Sequence, residues 1–143
     1  MRVADIIRQK GDTVGSIAST ASITEVVSKL RTMGVGAVVV SEDGVTLSGI
    51  ISERDIVRRL DTDGAAVLDR TVADLMTAEV ITCGLEDTVA ELMAVMTERR
   101  IRHIPVIEDD RLTGVVSIGD VVKCRLQEVE DERRHLEDYI TRG

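Results

Sequence analysis

The chain has 143 residues, about the length of one domain, which is enough to bury a core but not to build two large independent ones. Its 26 acidic side chains against 18 basic ones give a formal charge of −8, which disfavours nucleic acid because such binding requires neutralising several phosphates. With no Trp, no Phe and one Tyr, the core must be aliphatic, and base stacking on aromatic side chains is excluded.

Membrane insertion, metal binding and secretion are also disfavoured. No apolar run approaches the roughly 20 residues that span a bilayer, and the start of the chain does not resemble a secretory signal. Cys83 and Cys124 lie far apart and outside any metal-ligand or CxxC spacing, which predicts unpaired thiols in a reducing compartment. We therefore predict a soluble, cytoplasmic protein; redox sensing by the two cysteines is a weaker alternative.

The first half of the chain begins with a short helix that ends near Lys10. Ser22 and Glu25 then have the spacing of a capping box at a helix start, and apolar residues follow at helical spacing. Two short β-branched segments predict strands, and a helix follows the second strand. The predicted segments are a helix at 1–10, an extended stretch at 13–19, a helix from 22, strands at 35–40 and 47–52, and a helix after 52.

The second half repeats this order, and Thr88 and Glu91 repeat the capping box. Its predicted segments are a helix at 72–76, a strand at 80–83, a helix from 88, strands at 101–107 and 112–117, and a long final helix. Pro105 lies inside the first of the two later strands and cannot donate to a sheet ladder. We therefore predict an edge or a locally unpaired position there, with exposed backbone groups.

An eleven-residue segment is the clearest sign of duplication, because residues 47–57 recur as residues 112–122. A period of roughly 65 residues fits a duplicated small domain better than a solenoid repeat. Both copies contain the motif Gly-h-h-Ser-x-x-Asp, in which h is an apolar residue. The motif residues are Gly49, Ser52 and Asp55 in the first copy and Gly114, Ser117 and Asp120 in the second.

The two motifs, the Arg-His-Ile-Pro-Val strand at 102–106 and the strand-helix-strand-strand-helix order resemble a tandem pair of CBS domains, the Bateman module, over about residues 3–126. The resemblance implies an α/β (α+β) fold of two β-α-β-β-α repeats packed with pseudo-two-fold symmetry, plus a C-terminal helix. It also implies a non-catalytic regulatory module that binds adenine nucleotides in clefts between the repeats and forms a disc-shaped homodimer. We expect the first repeat with its lead-in helix at 1–60, a connection at 61–71, the second repeat at 72–126 and the C-terminal helix at 127–143.

Two interpretations of the Ser/Asp pairs remain open. Ser52 with Asp55, and Ser117 with Asp120, can be capping pairs that satisfy free amides and suit the helix dipole. The same amides suit an anion, and a carboxylate can accept both hydroxyls of a ribose. The glycine that precedes each pair favours the second interpretation, because Gly in a strand often marks close approach by a ligand or another backbone.

The densest positive run of the chain lies at 99–103. Arg is favoured at a helix end by the dipole, but its planar guanidinium also suits phosphate. The resemblance implies that Arg102 and His103, with Arg100 beside them, contact phosphate and face the Ser/Asp pair of the first repeat. The aligned residues 34–37 carry no charge. We therefore predict one good phosphate pocket and a second that accepts only a weaker or less charged ligand.

The resemblance also implies that adenine is held by backbone groups and aliphatic side chains, at positions that match Ile17, Ala37, Ile81 and Thr82. AMP is the expected ligand, with ADP, ATP or NAD as alternatives. The chain has two histidines and no GxxxxGK loop. We therefore expect no catalytic residue, no metal site and no catalytic cofactor.

Apolar residues of the last helix alternate four and three apart if Arg133 fills one position: Val122, Leu126, Val129, Leu136 and Ile140. Packing on its own domain, pairing with a second copy and binding a partner protein are the alternatives for this helix. The leading hypothesis for the chain is a nucleotide sensor, in energy sensing or signal transduction, that shifts a conformational equilibrium and controls an unknown target in trans. The competing hypothesis is a ligand-independent interaction or oligomerisation module that acts through this helix.

Overall fold

The computed structural model describes residues 1–11 and 14–142, which form a mixed α+β fold of two similar repeats and a C-terminal helix, as the sequence predicts. Thr13, the start of the predicted extended stretch, lies outside the described residues. In chain order the elements are α1 (Val3–Lys10), β1 (Ser16–Ile17), α2 (Ile23–Met33), β2 (Ala37–Val40), β3 (Gly49–Ser52), α3 (Glu53–Asp63), α4 (Val72–Leu75), α5 (Val89–Arg99), β4 (His103–Glu108), β5 (Arg111–Ser117) and α6 (Ile118–Arg142). A 3-10 helix, Gly64–Asp69, connects α3 to α4.

Helices α2 and α5 begin at the predicted caps. The Ser22 hydroxyl accepts the Glu25 amide over 3.2 Å, and the Thr88 hydroxyl accepts the Glu91 amide over 3.1 Å. Both helices end in a left-handed residue, which is glycine in the first repeat but Arg100, with φ of 55°, in the second. A non-glycine residue in this conformation costs roughly 1 to 2 kcal/mol. The second repeat therefore places a charged side chain at a strained position. This position adjoins the surface where the two repeats meet, which is called the seam below.

The sheet of the first repeat has the order β1-β2-β3. β1 is parallel to β2, and β2 is antiparallel to β3. Every residue of β2 is buried, because the strand is central. The antiparallel register pairs Ala37 with Ser52, so the start of β2 lies beside the start of α3.

The sheet of the second repeat pairs β4 with β5, with His103 opposite Ser117 and a bulge between Val106 and Ile107. The predicted strand at 80–83 is reduced to one parallel bridge at Cys83, whose amide donates to the Pro105 carbonyl over 3.0 Å. β4 is an edge of this two-stranded sheet, as predicted, but the bridge covers it at Pro105, which is buried, so the prediction of exposed backbone there is wrong. The missing amide of proline is accommodated because pairing on the Cys83 side is limited to that bridge.

The two lead-in helices are exchanged between the repeats. Chain order assigns α1 to the first repeat, but its apolar face packs in the core of the second repeat, with Leu92 and Val116. The Val3 amide donates to the Asp87 carbonyl over 2.9 Å. In the same way α4 packs in the core of the first repeat, and its Val72 amide donates to the Ala21 carbonyl over 2.9 Å. Each core is therefore completed by a helix that chain order assigns to the other repeat.

Helix α6 is continuous from the end of β5 and has 25 residues. Val121 and Cys124 on its inner face are buried in the second core. Every described residue after Glu130 is exposed. Packing of this part of the helix on its own domain, one of the alternatives for it, does not occur in the described structure.

Candidate functional site

The first Ser/Asp pair lies at the junction of β3 and α3 and forms a capping box. The Ser52 amide and hydroxyl donate to the same carboxylate oxygen, Oδ2 of Asp55, over 2.8 and 3.0 Å. In return, the Asp55 amide donates to the Ser52 hydroxyl over 3.4 Å. The capping interpretation is therefore correct for this pair. Among the described residues no Lys or Arg forms an ion pair with Asp55, so its charge is not neutralised by the chain.

The second pair lies at the junction of β5 and α6 and differs in one respect. The Ser117 amide donates to Oδ2 of Asp120 over 2.8 Å, and the Asp120 amide donates to the Ser117 hydroxyl over 3.2 Å. The ammonium group of Lys10 also donates to Oδ2 of Asp120 and to the Val115 carbonyl, both over 2.8 Å. Burial raises the pKa of Asp120, but the bonds from Lys10 and Ser117 outweigh burial and hold that pKa below its usual value. The second carboxylate is thus already paired with an internal cation.

The seam between the repeats brings the two helix starts close to His103. A Cβ at Gly36 would lie 3.2 Å from His103 Cε1 and 3.5 Å from a Glu53 carboxylate oxygen, so the imidazole packs against the first repeat. Burial lowers the pKa of His103, Lys10 lowers it further, and the carboxylates of Glu53 and Asp120 oppose this only in part. The imidazole is therefore neutral at pH 7, and an acidic group from each repeat acts on it.

The arginines near the seam occupy different places. Arg102 is exposed, precedes β4 and lines a groove beside the first turns of α6. Its carbonyl accepts the Ile118 amide over 2.8 Å. Arg100 ends α5, and its carbonyl accepts a bond from the Arg54 guanidinium over 3.0 Å, which joins the two repeats.

The glycines of the two motifs have a structural reason that does not involve a ligand. A Cβ at Gly49 would lie 2.7 Å from the Thr77 carbonyl oxygen, and one at Gly114 would lie 2.6 Å from Ile7 Cδ1. Both neighbours belong to the exchanged lead-in segments. Close approach by another part of the chain therefore explains both glycines, and they no longer favour a ligand at the Ser/Asp pairs.

The four candidate adenine contacts are divided between the repeats. Ala37 is buried and opposite Ser52, and Ile17 lies in the core of the first repeat. Ile81 is half-buried and Thr82 exposed, just before the bridge that joins the second lead-in segment to β4. Of these side chains, Ala37 is the one whose register places it directly beside the first Ser/Asp pair.

Sequence reasoning missed two residues of this region, Lys10 and Glu53. Lys10 was missed because the exchange of α1 brings it to the second repeat, and no local pattern indicates that exchange. Glu53 follows Ser52 directly, but its proximity to His103 requires the packing of the two repeats. Gly36 was noted in the sequence only as part of the uncharged segment 34–37, and its proximity to His103 requires the same packing.

Neither cysteine supports redox sensing. Both are free and buried. Burial raises the pKa of the Cys83 thiol to about 12 and also raises that of Cys124, so the reactive thiolate is disfavoured. In the described part of the chain, no cluster of side chains has the composition of a metal site. No helix of that part is long and apolar enough to cross a membrane.

The chain has two repeats, each with a Ser/Asp-capped helix, that meet at a shared polar seam, and comparison with known families identifies this arrangement. The model of the CBS domain matches residues 3–62 and 72–126. The chain belongs to the CBS-domain family, as a tandem pair of these domains.

Individual relatives support this assignment. The mitochondrial CBS domain-containing protein CBSX3 of Arabidopsis thaliana is 38% identical, over 99% of this chain and 72% of the relative. The crystal structure of the CBS-domain containing protein ATU1752 from Agrobacterium tumefaciens is 42% identical with a TM-score of 0.84, over 87% of this chain and 99% of that chain.

Two similar structures contain adenosine compounds. The CBS domain protein PAE2072 from Pyrobaculum aerophilum, complexed with AMP, is 28% identical with a TM-score of 0.74, over 84% of this chain and 89% of that chain. The CBS domain pair of MJ0100, in complex with 5′-methylthioadenosine and S-adenosyl-L-methionine, is 25% identical with a TM-score of 0.77, over 87% of this chain and 98% of that chain. CBS pairs similar to this chain therefore bind adenosine ligands.

Proposed function

We propose that the chain is a non-catalytic sensor that binds an adenine nucleotide at the seam, on the Ser/Asp pair of the first repeat. The observation that carries this proposal is the difference between the two carboxylates: Asp120 is paired with Lys10, whereas Asp55 has only the capping bonds from Ser52 among the described contacts. Both of those bonds reach Oδ2, so Oδ1 is the oxygen proposed to accept a ribose hydroxyl.

The phosphate is proposed to lie towards His103 and Arg102, with Arg100 beside them. His103 packs against Gly36 and close to Glu53, the first residue of α3, so it is near the helix start that the first Ser/Asp pair caps. Arg102 is exposed and free to turn a guanidinium towards an oxyanion, for which its planar geometry is suited. The free amides at the start of α3 add a partial positive charge.

The second Ser/Asp pair is proposed to bind more weakly. The ammonium of Lys10 already offsets the charge of the Asp120 carboxylate through Oδ2, so a ribose hydroxyl at Oδ1 gains a weaker charge-assisted bond there than at Asp55. We therefore expect one strong site per chain. The proposed ligand is AMP, with ADP, ATP and NAD as alternatives, and the adenosine compounds bound by similar CBS pairs support the nucleoside part of this assignment.

We propose that nucleotide binding changes how the chain acts on a separate target protein, in an energy-sensing or signalling role. A ligand at the seam touches both repeats, and a ligand with different affinities for two arrangements of the repeats shifts their populations. A homodimer is part of this proposal. Cytoplasmic location stays a prediction, and the Arabidopsis relative is mitochondrial by name.

Isothermal titration calorimetry with AMP tests the site. Asp55→Asn should weaken AMP binding about 10- to 100-fold, because it removes a charge-assisted bond to the ribose. The matched control is Asp120→Asn, which should change the affinity less than about threefold. Equal losses in the two variants, or two equal tight sites in the unmodified chain, would contradict the asymmetry.

The choice of ligand is tested by titrating ADP, ATP, NAD and S-adenosylmethionine under the same conditions. Arg102→Met should weaken binding of AMP and leave that of adenosine unchanged, because the nucleoside has no phosphate. A ligand that binds only the folded chain must also raise the melting temperature. If none of these compounds does so at millimolar concentration, the ligand-independent interaction module, favoured by the exposed apolar stripe of α6, is the better assignment.

A further inference from the structure

The outer face of α6 carries an apolar stripe that no described part of the chain covers. Its members are Val122, Leu126, Val129, Leu136 and Ile140, and they are between 48% and 75% exposed. Arg133 occupies the one polar position of this four-and-three spacing. Val121 and Cys124 face the core instead, so the stripe faces away from the body of the protein. Such a stripe is typical of the face along which two helices pack in a coiled coil.

The stripe begins in a groove beside the body. Arg102 lines one side of this groove of about 750 Å³, and Ile118 and Gly119 from the first turn of α6 line the other. Gly119 leaves its floor open, because even a Cβ there would come no closer than 3.6 Å to Ser117. One apolar helix can therefore occupy both the groove and the stripe.

The charges beside the stripe disfavour a parallel pair of α6 helices, although Arg133 also forms ion pairs with Glu130 and Glu137 of its own chain. In a parallel, in-register pair, Arg133 of one copy meets Arg133 of the other in the contact between the two helices. The carboxylates of Glu132 and Glu137 also face each other between the copies. One attraction remains, between Arg125 and Glu130, and it does not offset two repulsions between like charges.

An antiparallel pair, centred between Gln127 and Glu128, removes both repulsions. Leu126 then packs on Val129 of the second copy. The Leu136 side chain of each copy lies over Gly119 of the other, where the groove has room for it. Leu136 is thus covered as well as the centre of the stripe, whereas Ile140 lies opposite position 115, which precedes α6.

The flanking charges are complementary in this register. Lys123 faces Glu130 of the second copy, and Arg125 faces Glu132, and each pair occurs twice by symmetry. Arg133 lies opposite Val122 of the second copy. Its aliphatic stem packs there and its charged end reaches water.

We propose that α6 is an antiparallel self-association surface, and that its occupant is α6 of a second copy of this chain, whose C-terminal half fills the groove beside Arg102. The proposal rests on the homodimer of the proposed function, and the groove shares Arg102 with the proposed nucleotide site. It places the two C-termini at opposite ends of the helix pair.

Distance measurement between spin labels tests the orientation. Thr141→Cys is labelled in the full chain after Cys83 and Cys124 are replaced by Ala, with folding checked by thermal melting. At 1.5 Å per residue, the antiparallel register separates the two labels by about 40 Å. A parallel pair brings them within roughly 10 to 20 Å, given the usual distance between packed helices. A short distance, or a broad distribution from uncovered helices, overturns the antiparallel pair and leaves a homodimer standing, whereas a monomer removes both.

A charge exchange supplies a second measurement. Lys123→Glu should weaken the dimer about tenfold in sedimentation equilibrium, because two attractive pairs become repulsive. Adding Glu130→Lys should restore the affinity, since each new pair is again of opposite charge. In a parallel pair Glu130→Lys would face Arg125, so the double variant would stay weak, and that result overturns the proposal. Arg142→Glu, which lies outside the flanking positions, is the control and should leave the affinity unchanged.

Discussion

Lys10 and Asp120 are 110 residues apart and joined by a 2.8 Å hydrogen bond from Nζ to Oδ2, which ties the end of α1 to the start of α6. The bond exists because α1 packs on the second repeat. It also makes two otherwise equivalent helix starts chemically different, since Asp55 has no such cation in the described structure.

Lys10→Met should lower the free energy of unfolding by about 1 kcal/mol at pH 7, since the pair is partly exposed and screened by solvent. The folded-state pKa of Asp120 lies below its ordinary value, so the pair stabilises above about pH 4 and its contribution is lost as the pH falls through the folded pKa. Urea unfolding at pH 7 and pH 3 measures this. Arg8→Met, on the same helix but far more exposed, is the control and should have almost no effect. An equal loss at both pH values would contradict the ion-pair explanation.

Gly49→Ala and Gly114→Ala should differ in cost although both add one methyl group. At Gly49 the new Cβ meets a backbone carbonyl oxygen of Thr77, which cannot move without shifting the lead-in segment. At Gly114 it meets the end of the Ile7 side chain, which can rotate away. We expect a loss of about 2 to 3 kcal/mol for the first substitution and about 1 for the second, by urea denaturation.

A second substitution checks the cause of the smaller loss. Shortening Ile7 to Val should relieve most of the cost of Gly114→Ala and none of the cost of Gly49→Ala. Additive losses in the first combination would show that the methyl group meets something other than Ile7.

His103 should make the protein less stable as the pH falls below about 6.5. Burial lowers its folded-state pKa, so over the window between that pKa and the ordinary value of 6.5 the unfolded chain binds more protons. Lys10 and Arg102 favour the neutral imidazole, and Glu53 and Asp120 oppose them. The melting temperature should therefore rise from pH 5 to pH 7.

The matched variants are His103→Gln, which should remove much of this slope, and His135→Gln on the exposed part of α6, which should keep it. If the slope is the same in all three proteins, other groups cause it. A bound phosphate should reverse part of the effect, because its negative charge favours the protonated imidazole.

Neither cysteine should react with a thiol reagent in the folded protein at pH 8. The pKa of Cys83 is raised to about 12 by burial, so roughly one thiol in ten thousand is ionised. The Cys124 thiol donates to Met1 Sδ over 3.0 Å and is also buried. Labelling followed by mass spectrometry measures this, and the protein unfolded in urea provides the control in which both react. Rapid labelling of the native protein would reopen the redox alternative.

Local sequence patterns predicted the parts of this structure that depend on neighbouring residues. The hydroxyl and carboxylate at Ser22 and Glu25, and at Ser52 and Asp55, indicate helix starts because the bonding groups lie three residues apart. The duplication predicted the two repeats, and the family resemblance predicted their fold. The difference in charge between 34–37 and 100–103 predicts two unequal phosphate pockets, and this stays a prediction.

Patterns failed where distant segments meet. Apolar spacing in α1 identifies a face to be buried but not which core will bury it, so the pairing of Lys10 with Asp120 was not predicted. The reason for the two motif glycines could not be predicted either, because their neighbours, Ile7 and Thr77, lie in the lead-in segments and are distant in sequence. Pro105 has no amide to donate, as the rule for edge strands states, but the rule does not predict the single bridge from Cys83 on that side of the strand.

The exchanged lead-in helices also constrain the order of events during synthesis. When α1 leaves the ribosome, the core that will cover Val3, Ile6 and Ile7 has not been made, because its other members extend to Cys124. The first repeat likewise waits for α4. The nascent chain must therefore carry an uncovered apolar helix through most of translation, whereas the first core can close as soon as α4 has been made.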